Sequence, residues 1–155
     1  MSVKDFVQQR RDALIAMRRD FHMYPEPAWL EYRSAAKVAD TLISLGYDVA
    51  LGADVLDLES RMGLPSDEVM KAAMDRAIKE GANPELVEKM GYGKTAIVAT
   101  MKFGGEGPVV AFRVDMDSND VIEAKDDNHV PAKGGFRSCH DKAMHACGHD
   151  AHMTM

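Results

Sequence analysis

Residues 95–116, TAIVATMKFGGEGPVVAFRVDM, decide the fold class. TAIVATMKF (95–103) and PVVAFRVDM (108–116) are rich in β-branched and apolar residues, the composition of strands. GGEG, residues 104 to 107, reads as the turn between them. The unbroken apolar run from Val109 to Phe112 suggests a strand covered on both faces, as in an α/β sheet. Upstream, the pattern switches to helix. Ser2 with Asp5 forms an acidic variant of a capping box, and Val3, Phe6, Val7, Leu14, Met17 and Phe21 recur at helical spacing, which predicts a helix over about 3–23. Pro25 and Pro27 end it. A second helix is expected over about 32–45, with Gly46 as the residue just past its end, and YDVAL (47–51) follows as a short strand. Within residues 54–93, Ser66 caps a further amphipathic helix that Gly81 closes. This stretch reads as a helical excursion from the main sheet rather than a separate domain. The expectation is therefore one domain by length, α/β in class, with a helical insertion.

The bulk numbers exclude several classes. The chain has 155 residues, 46% hydrophobic and 28% charged, with a net charge of −6. It carries no Lys/Arg cluster of the kind that tracks phosphates, so a nucleic-acid partner is disfavoured. No run approaches the apolar length of a membrane span, and the charged N-terminus lacks a signal core. A cytoplasmic protein is the expectation. Its two cysteines, Cys139 and Cys147, read as free, ligating or catalytic thiols rather than a disulfide.

Three short motifs bear on chemistry. GYGKT (91–95) superficially resembles a phosphate loop, but the required upstream glycine position holds Glu88, and AIVAT after it reads as strand. A simple turn is the better reading. RVDMD (113–117) places Asp115 and Asp117 at the expected C-terminal end of an apolar strand, where open α/β sheets bind ligands. The bland reading is a solvated strand end with Arg113 as a local ion partner. HACGHDAH (145–152) is the richest stretch, holding three histidines, a cysteine and an aspartate. Thiolate and imidazole suit zinc, manganese or cobalt. His145 and His149 are four apart and His149 and His152 three apart, so a helix presents either pair together. Other readings of the stretch are a structural zinc site of Cys139, His140, His145 and Cys147, an activated redox Cys147, or a polar loop of satisfied histidines. His22, at the end of the first helix, reads as a partner for helix carbonyls, and His129 as a solvated loop residue.

Taken together, RRDFHMYPEPAWLEYRSAAKVADTLISLGYDVAL (18–51), RVDMD and MHACGHDAH (144–152) resemble the dinuclear-metal amidohydrolases and peptidases related to aminoacylase, carboxypeptidase G and the indole-acetyl-amino-acid hydrolases. The resemblance runs over essentially all 155 residues and covers the first part of such a protein. It implies that residues 1–155 are a partial domain, the N-terminal part of a metallopeptidase catalytic domain with a mixed sheet flanked by helices and a helical insertion, the remainder and a lid or dimerisation domain lying elsewhere. It implies two divalent metal ions per intact site, zinc or manganese, and an acyl-amino acid as small-molecule substrate. A partner subunit or a homodimer is expected in the intact protein. Cys147 and His149 match metal ligands of this branch. Asp117 matches the orienting aspartate of the catalytic site, and Asp115 takes the position of a ligand histidine in other branches. His145, Asp150 and His152 are expected around these ligands. Further ligands and the general-base glutamate would lie downstream. The chain departs from the family in DMDSND (115–120), which is more polar than the usual continuation and bears on how Asp117 is held. A stand-alone metal-binding or interaction module and a degenerate pseudo-enzyme are the competing readings.

Overall fold

A computed structural model describes residues 2–155. The elements run α1 (Val3–Gln9), α2 (Arg11–Met23), α3 (Tyr32–Ser44), β1 (Asp48–Leu51), α4 (Asp67–Lys79), α5 (Pro84–Met90), β2 (Ile97–Thr100), α6 (Val130–Lys133) and α7 (His149–Thr154). They fall into two compact units. One comprises the chain up to Pro27 with Val114–Met155, and the other comprises Ala28–Arg113.

The Ala28–Arg113 unit is built on α3. Its inner face is small, with Ala35, Ala36 and Ala39 all buried, so α4 and α5 approach it closely through Met70, Ala73, Ala77, Val87 and Met90. The excursion seen in the sequence thus packs on α3 within the same unit. Ser66 caps α4, its side chain accepting from the Val69 N–H, and Gly81 follows the helix at φ +91°. α3 ends in a Schellman motif: Tyr47 N–H donates to the Leu42 carbonyl and Gly46 N–H to that of Ile43, with Gly46 at φ +88°. The chain reverses there into β1, which pairs antiparallel with β2, Asp48 facing Thr100 and Leu51 facing Ile97. Gly52 then passes so close to α5 that a Cβ would sit 2.9 Å from the Lys89 carbonyl oxygen. Tyr32, fully buried, accepts a hydrogen bond from the Gly93 N–H at its hydroxyl, and Thr95 donates to Glu31.

The other unit is helical and loop-rich. The expected helix over 3–23 breaks at Arg10, whose φ and ψ of −102° and 3° close α1 and start α2. α1 carries its capping box, Ser2 and Asp5 bonding reciprocally, but has no buried residue. Nothing packs it into the line of α2, so local propensity alone decides its course. α2 buries Phe21 and His22 and packs against α7. Ser118 donates from its backbone N–H to the Glu26 carbonyl, and Asn119 and Met144 exchange backbone hydrogen bonds. These single bridges tie the segment after RVDMD to both of its neighbours.

PVVAFRVDM forms no strand. Val109 and Phe112 are 98% and 90% exposed, and the described residues contain one sheet, of two strands. The α/β character survives as helices around this small antiparallel sheet. The expected mixed sheet, and a double-faced strand leading to Asp115, do not occur among the described residues. The segment has the apolar side chains of a core strand but no neighbouring strand to satisfy its backbone, so it takes no regular structure and stays open.

Candidate metal centre

α7 begins at His149, directly after Gly148. Gly148 sits at φ +98°, a left-handed conformation that a residue with a Cβ adopts only with strain. The turn lets the loop enter the helix abruptly, so His149 and His152 share a face one turn apart. Their rings stack with centroids 5.3 Å apart and an interplanar angle of 29°. Asp115 joins them: one ligand-capable atom from each of Asp115, His149 and His152 lies within 4.8 Å of the other two. A carboxylate and two imidazoles converging in this way form a donor set that fits a borderline divalent ion such as zinc or manganese.

The orientation of His149 is fixed from behind. Its Nδ1 lies 2.7 Å from the Asp117 carbonyl oxygen and 3.2 Å from Asp117 Oδ1. A carbonyl only accepts, so Nδ1 carries the proton and Nε2 keeps its lone pair for a ligand role. Asp117 thus contacts the His149 imidazole through both its carbonyl and its carboxylate, from an irregular segment rather than a strand end. Cys147 is exposed and lies outside the Asp115–His149–His152 group. His145 is buried, and neither ring nitrogen has a hydrogen-bond partner among the described residues. Burial presses its pKa down to about 4, leaving it neutral at pH 7. Within the proposed four-residue zinc site, His140 Nδ1 instead donates to the Pro25 carbonyl, and Cys139, like Cys147, is exposed.

Beneath the site lies a buried ionic cluster that sequence reasoning missed. His22 is not a cap for helix carbonyls. Its Nδ1 lies 2.9 Å from Asp150 Oδ2 and its Nε2 2.9 Å from Glu123 Oε1. Both carboxylates are fully buried. Arg18 Nε also reaches Asp150 Oδ2, at 2.9 Å. His129 is not a solvated loop residue either; its Nε2 lies 2.7 Å from Glu123 Oε1. The Ser138 N–H donates to the other Glu123 oxygen. Burial opposes ionisation throughout the cluster. The hydrogen bonds from Asp150 and Glu123 outweigh it at His22, whose pKa is raised. At Glu123 the bonds from His129, His22 and Ser138 outweigh it, and at Asp150 those of His22 with the charge of Arg18, so both carboxylates are held below their usual range. The only sequence signal was the number of ionisable residues crowded into otherwise irregular chain.

Compared with known proteins, the chain is similar in sequence to amidohydrolases and carboxypeptidases. More particularly, it is 46% identical over 154 residues to a p-aminobenzoyl-glutamate hydrolase subunit of Escherichia coli, covering 99% of this chain and 35% of that protein. The indole-3-acetyl-aspartic acid hydrolase of Enterobacter agglomerans is 44% identical over 153 residues, with the same two coverages. Among solved structures, the aminobenzoyl-glutamate utilization protein from Klebsiella pneumoniae superposes with a TM-score of 0.74 at 44% identity, covering 77% of this chain and 30% of that one. The chain thus spans about a third of the length of the curated relatives it matches. No protein-family model matches it. No described helix is long and apolar enough to cross a membrane.

Proposed function

We propose that this sequence supplies part of the metal centre of an amidohydrolase that cleaves N-acyl amino acid amide bonds, with p-aminobenzoyl-glutamate as the leading substrate. The observation that carries the proposal is the convergence of Asp115, His149 and His152, with His149 oriented by Asp117, in a chain 46% identical to a p-aminobenzoyl-glutamate hydrolase subunit. Asp115, His149 and His152 would hold a divalent ion, zinc or manganese, and the exposed Cys147 just before α7 would be a further thiolate donor. When bound, such an ion supplies Lewis acidity toward the amide carbonyl and a water acidic enough to attack it near neutral pH.

The chain's own residues have defined tasks. The Asp117 carbonyl keeps the proton of His149 on Nδ1, so the imidazole meets the ion as a neutral donor. The Asp117 carboxylate lies 3.2 Å from the same nitrogen and helps hold the ring in that orientation. Asp115 offsets the cationic charge. Hydrolysis adds water across the C–N bond and yields p-aminobenzoate and glutamate. The general base, the second ion of the pair, a cytoplasmic location and a subunit partner belong to the same proposal for the intact enzyme. In support of the partner, the Escherichia coli relative is itself one hydrolase subunit.

The test is direct. In the intact enzyme carrying this sequence, release of p-aminobenzoate should require divalent metal, stop on chelation and return on adding zinc or manganese. His149→Gln should abolish it. Full turnover by that variant, or in the presence of excess chelator, would overturn the reading.

A further inference from the structure

We infer that His22 is a positioning residue for this metal centre: clamped between buried Asp150 and Glu123, it sets the spacing between the segment that carries Asp115 and the helix that carries His149 and His152. The inference rests on the metal reading above and adds what holds the donors in register.

α7 has only six residues and no side-chain cap at its start, so it cannot fix its own direction. Its packing partner is α2, and the polar link between them is Asp150, which takes His22 and Arg18 of α2 on one carboxylate oxygen. Asp150 is the neighbour of His149 in sequence. About 100° of helix rotation separates the two side chains, so seating Asp150 inward aims His149 along the helix surface. The opposite nitrogen of His22 holds Glu123. Glu123 follows Asp115 and Asp117 along one loop, and that loop is pinned at the same point: Arg137 donates to the carbonyls of Glu123 and Ala124, and Ser138 N–H to the Glu123 carboxylate.

One imidazole ring therefore joins both carriers of the donor set. Both of its nitrogens face carboxylate oxygens, which accept and do not donate when ionised, so the ring carries both protons and one positive charge. The groups facing it are Asp150 from α7, Glu123 from the loop, Arg18 from its own helix, His129 through Glu123, and neutral His145; the Phe136 ring meets it edge-on with centroids 5.8 Å apart. A glutamine in its place spans one carboxylate at most. Helix and loop would then lose their common reference, and the ligand atoms their mutual distance.

The test uses the 155-residue chain, Co(II) alone as probe, and two variants, His22→Gln and Glu123→Gln, the second in case the first does not fold. Folding is followed by far-UV circular dichroism, Co(II) affinity and geometry by the visible d–d bands, and the His149 tautomer by its ring ¹⁵N shifts in the metal-free chain. The expected result is a cooperatively folded variant whose Co(II) affinity falls by about tenfold or more, the range for outer partners of metal ligands. Its d–d bands should change, and its His149 should no longer sit in a single Nδ1–H tautomer. A folded variant with the parent's affinity, bands and tautomer overturns the positioning role and leaves the metal reading standing. If the parent chain takes up no Co(II), the metal reading fails. The His149 tautomer then decides the positioning role by itself: a change in the variant upholds it, and no change overturns it.

Discussion

His149 Nδ1 rests 2.7 Å from the backbone carbonyl of Asp117, a residue 32 positions earlier in the chain. A backbone oxygen does this orienting, so it survives loss of the Asp117 side chain. Asp117→Ala should therefore keep His149 in its Nδ1–H tautomer while removing the carboxylate 3.2 Å away. Metal affinity, measured by competition with a chromophoric chelator, should drop about tenfold. Unchanged affinity would show that the carboxylate has no influence on the donor.

The proposed donor role of Cys147 is the one most easily read by spectroscopy. It is exposed, and the loop that bears it leads into α7. If it joins the ion, the Co(II) form shows a thiolate-to-metal charge-transfer band in the near ultraviolet. In Cys147→Ser that band disappears, and affinity falls as a soft donor is replaced by a hard, neutral one. Identical spectra and uptake in the two proteins would remove Cys147 from the ligand set.

Two buried histidines give the metal-free fold opposite pH slopes. The His22 pKa is raised above its usual 6.5, so its stabilisation is complete below 6.5 and is lost as pH rises through the raised value. The His145 pKa is lowered to about 4, so the unfolded chain binds the extra proton first, and stability declines as pH falls from 6.5 toward 4. Each slope is at most about 1.4 kcal/mol per pH unit. Asp150 and Glu123, both lowered, add a further loss only at lower pH, as it falls through their depressed values. Urea unfolding at about pH 5, 6.5 and 8 should find the maximum near the middle value. His22→Gln should flatten the alkaline side and His145→Asn the acid side. Slopes unaltered by either change would contradict the assigned charge states.

The open apolar segment makes the isolated chain prone to association. Val109, Val110 and Phe112 are all largely exposed in a segment without regular structure. Phe112→Lys should shift the chain toward monomer in light scattering at high protein concentration, with its unfolding midpoint little changed. Equal association of the two proteins would show that the segment is not the contact.

Much of the helical framework was legible because its signals are local. Ser2 with Asp5, Ser66, Gly46 and Gly81 each announce a helix end through groups within a few residues. The break at Arg10 was not legible, since α1 lacks the burial that would extend the helical stripe into one continuous element. PVVAFRVDM misled for the converse reason: strand propensity requires neighbouring strands, and composition does not say whether they are there. At the site, the i, i+3 spacing of His149 and His152 announced their shared face. Asp115 was noted as a candidate and does converge on them. The partners of His22 lie 101 and 128 residues away, at Glu123 and Asp150, and no local pattern records such distances. A lone histidine at a helix end reads as a cap until the fold supplies its acids.

The central claim is that Asp115, His149 and His152 together hold a divalent ion. Calorimetric titration of zinc into the 155-residue chain and into its Asp115→Asn/His149→Gln/His152→Gln variant tests it most directly. The account predicts saturable uptake by the parent, no amide turnover by the chain on its own, since a two-metal site needs more donors than these, and uptake reduced at least about a hundredfold in the variant, beyond the loss of any single outer partner. Zinc bound by the folded triple variant with the parent's affinity and stoichiometry would contradict it.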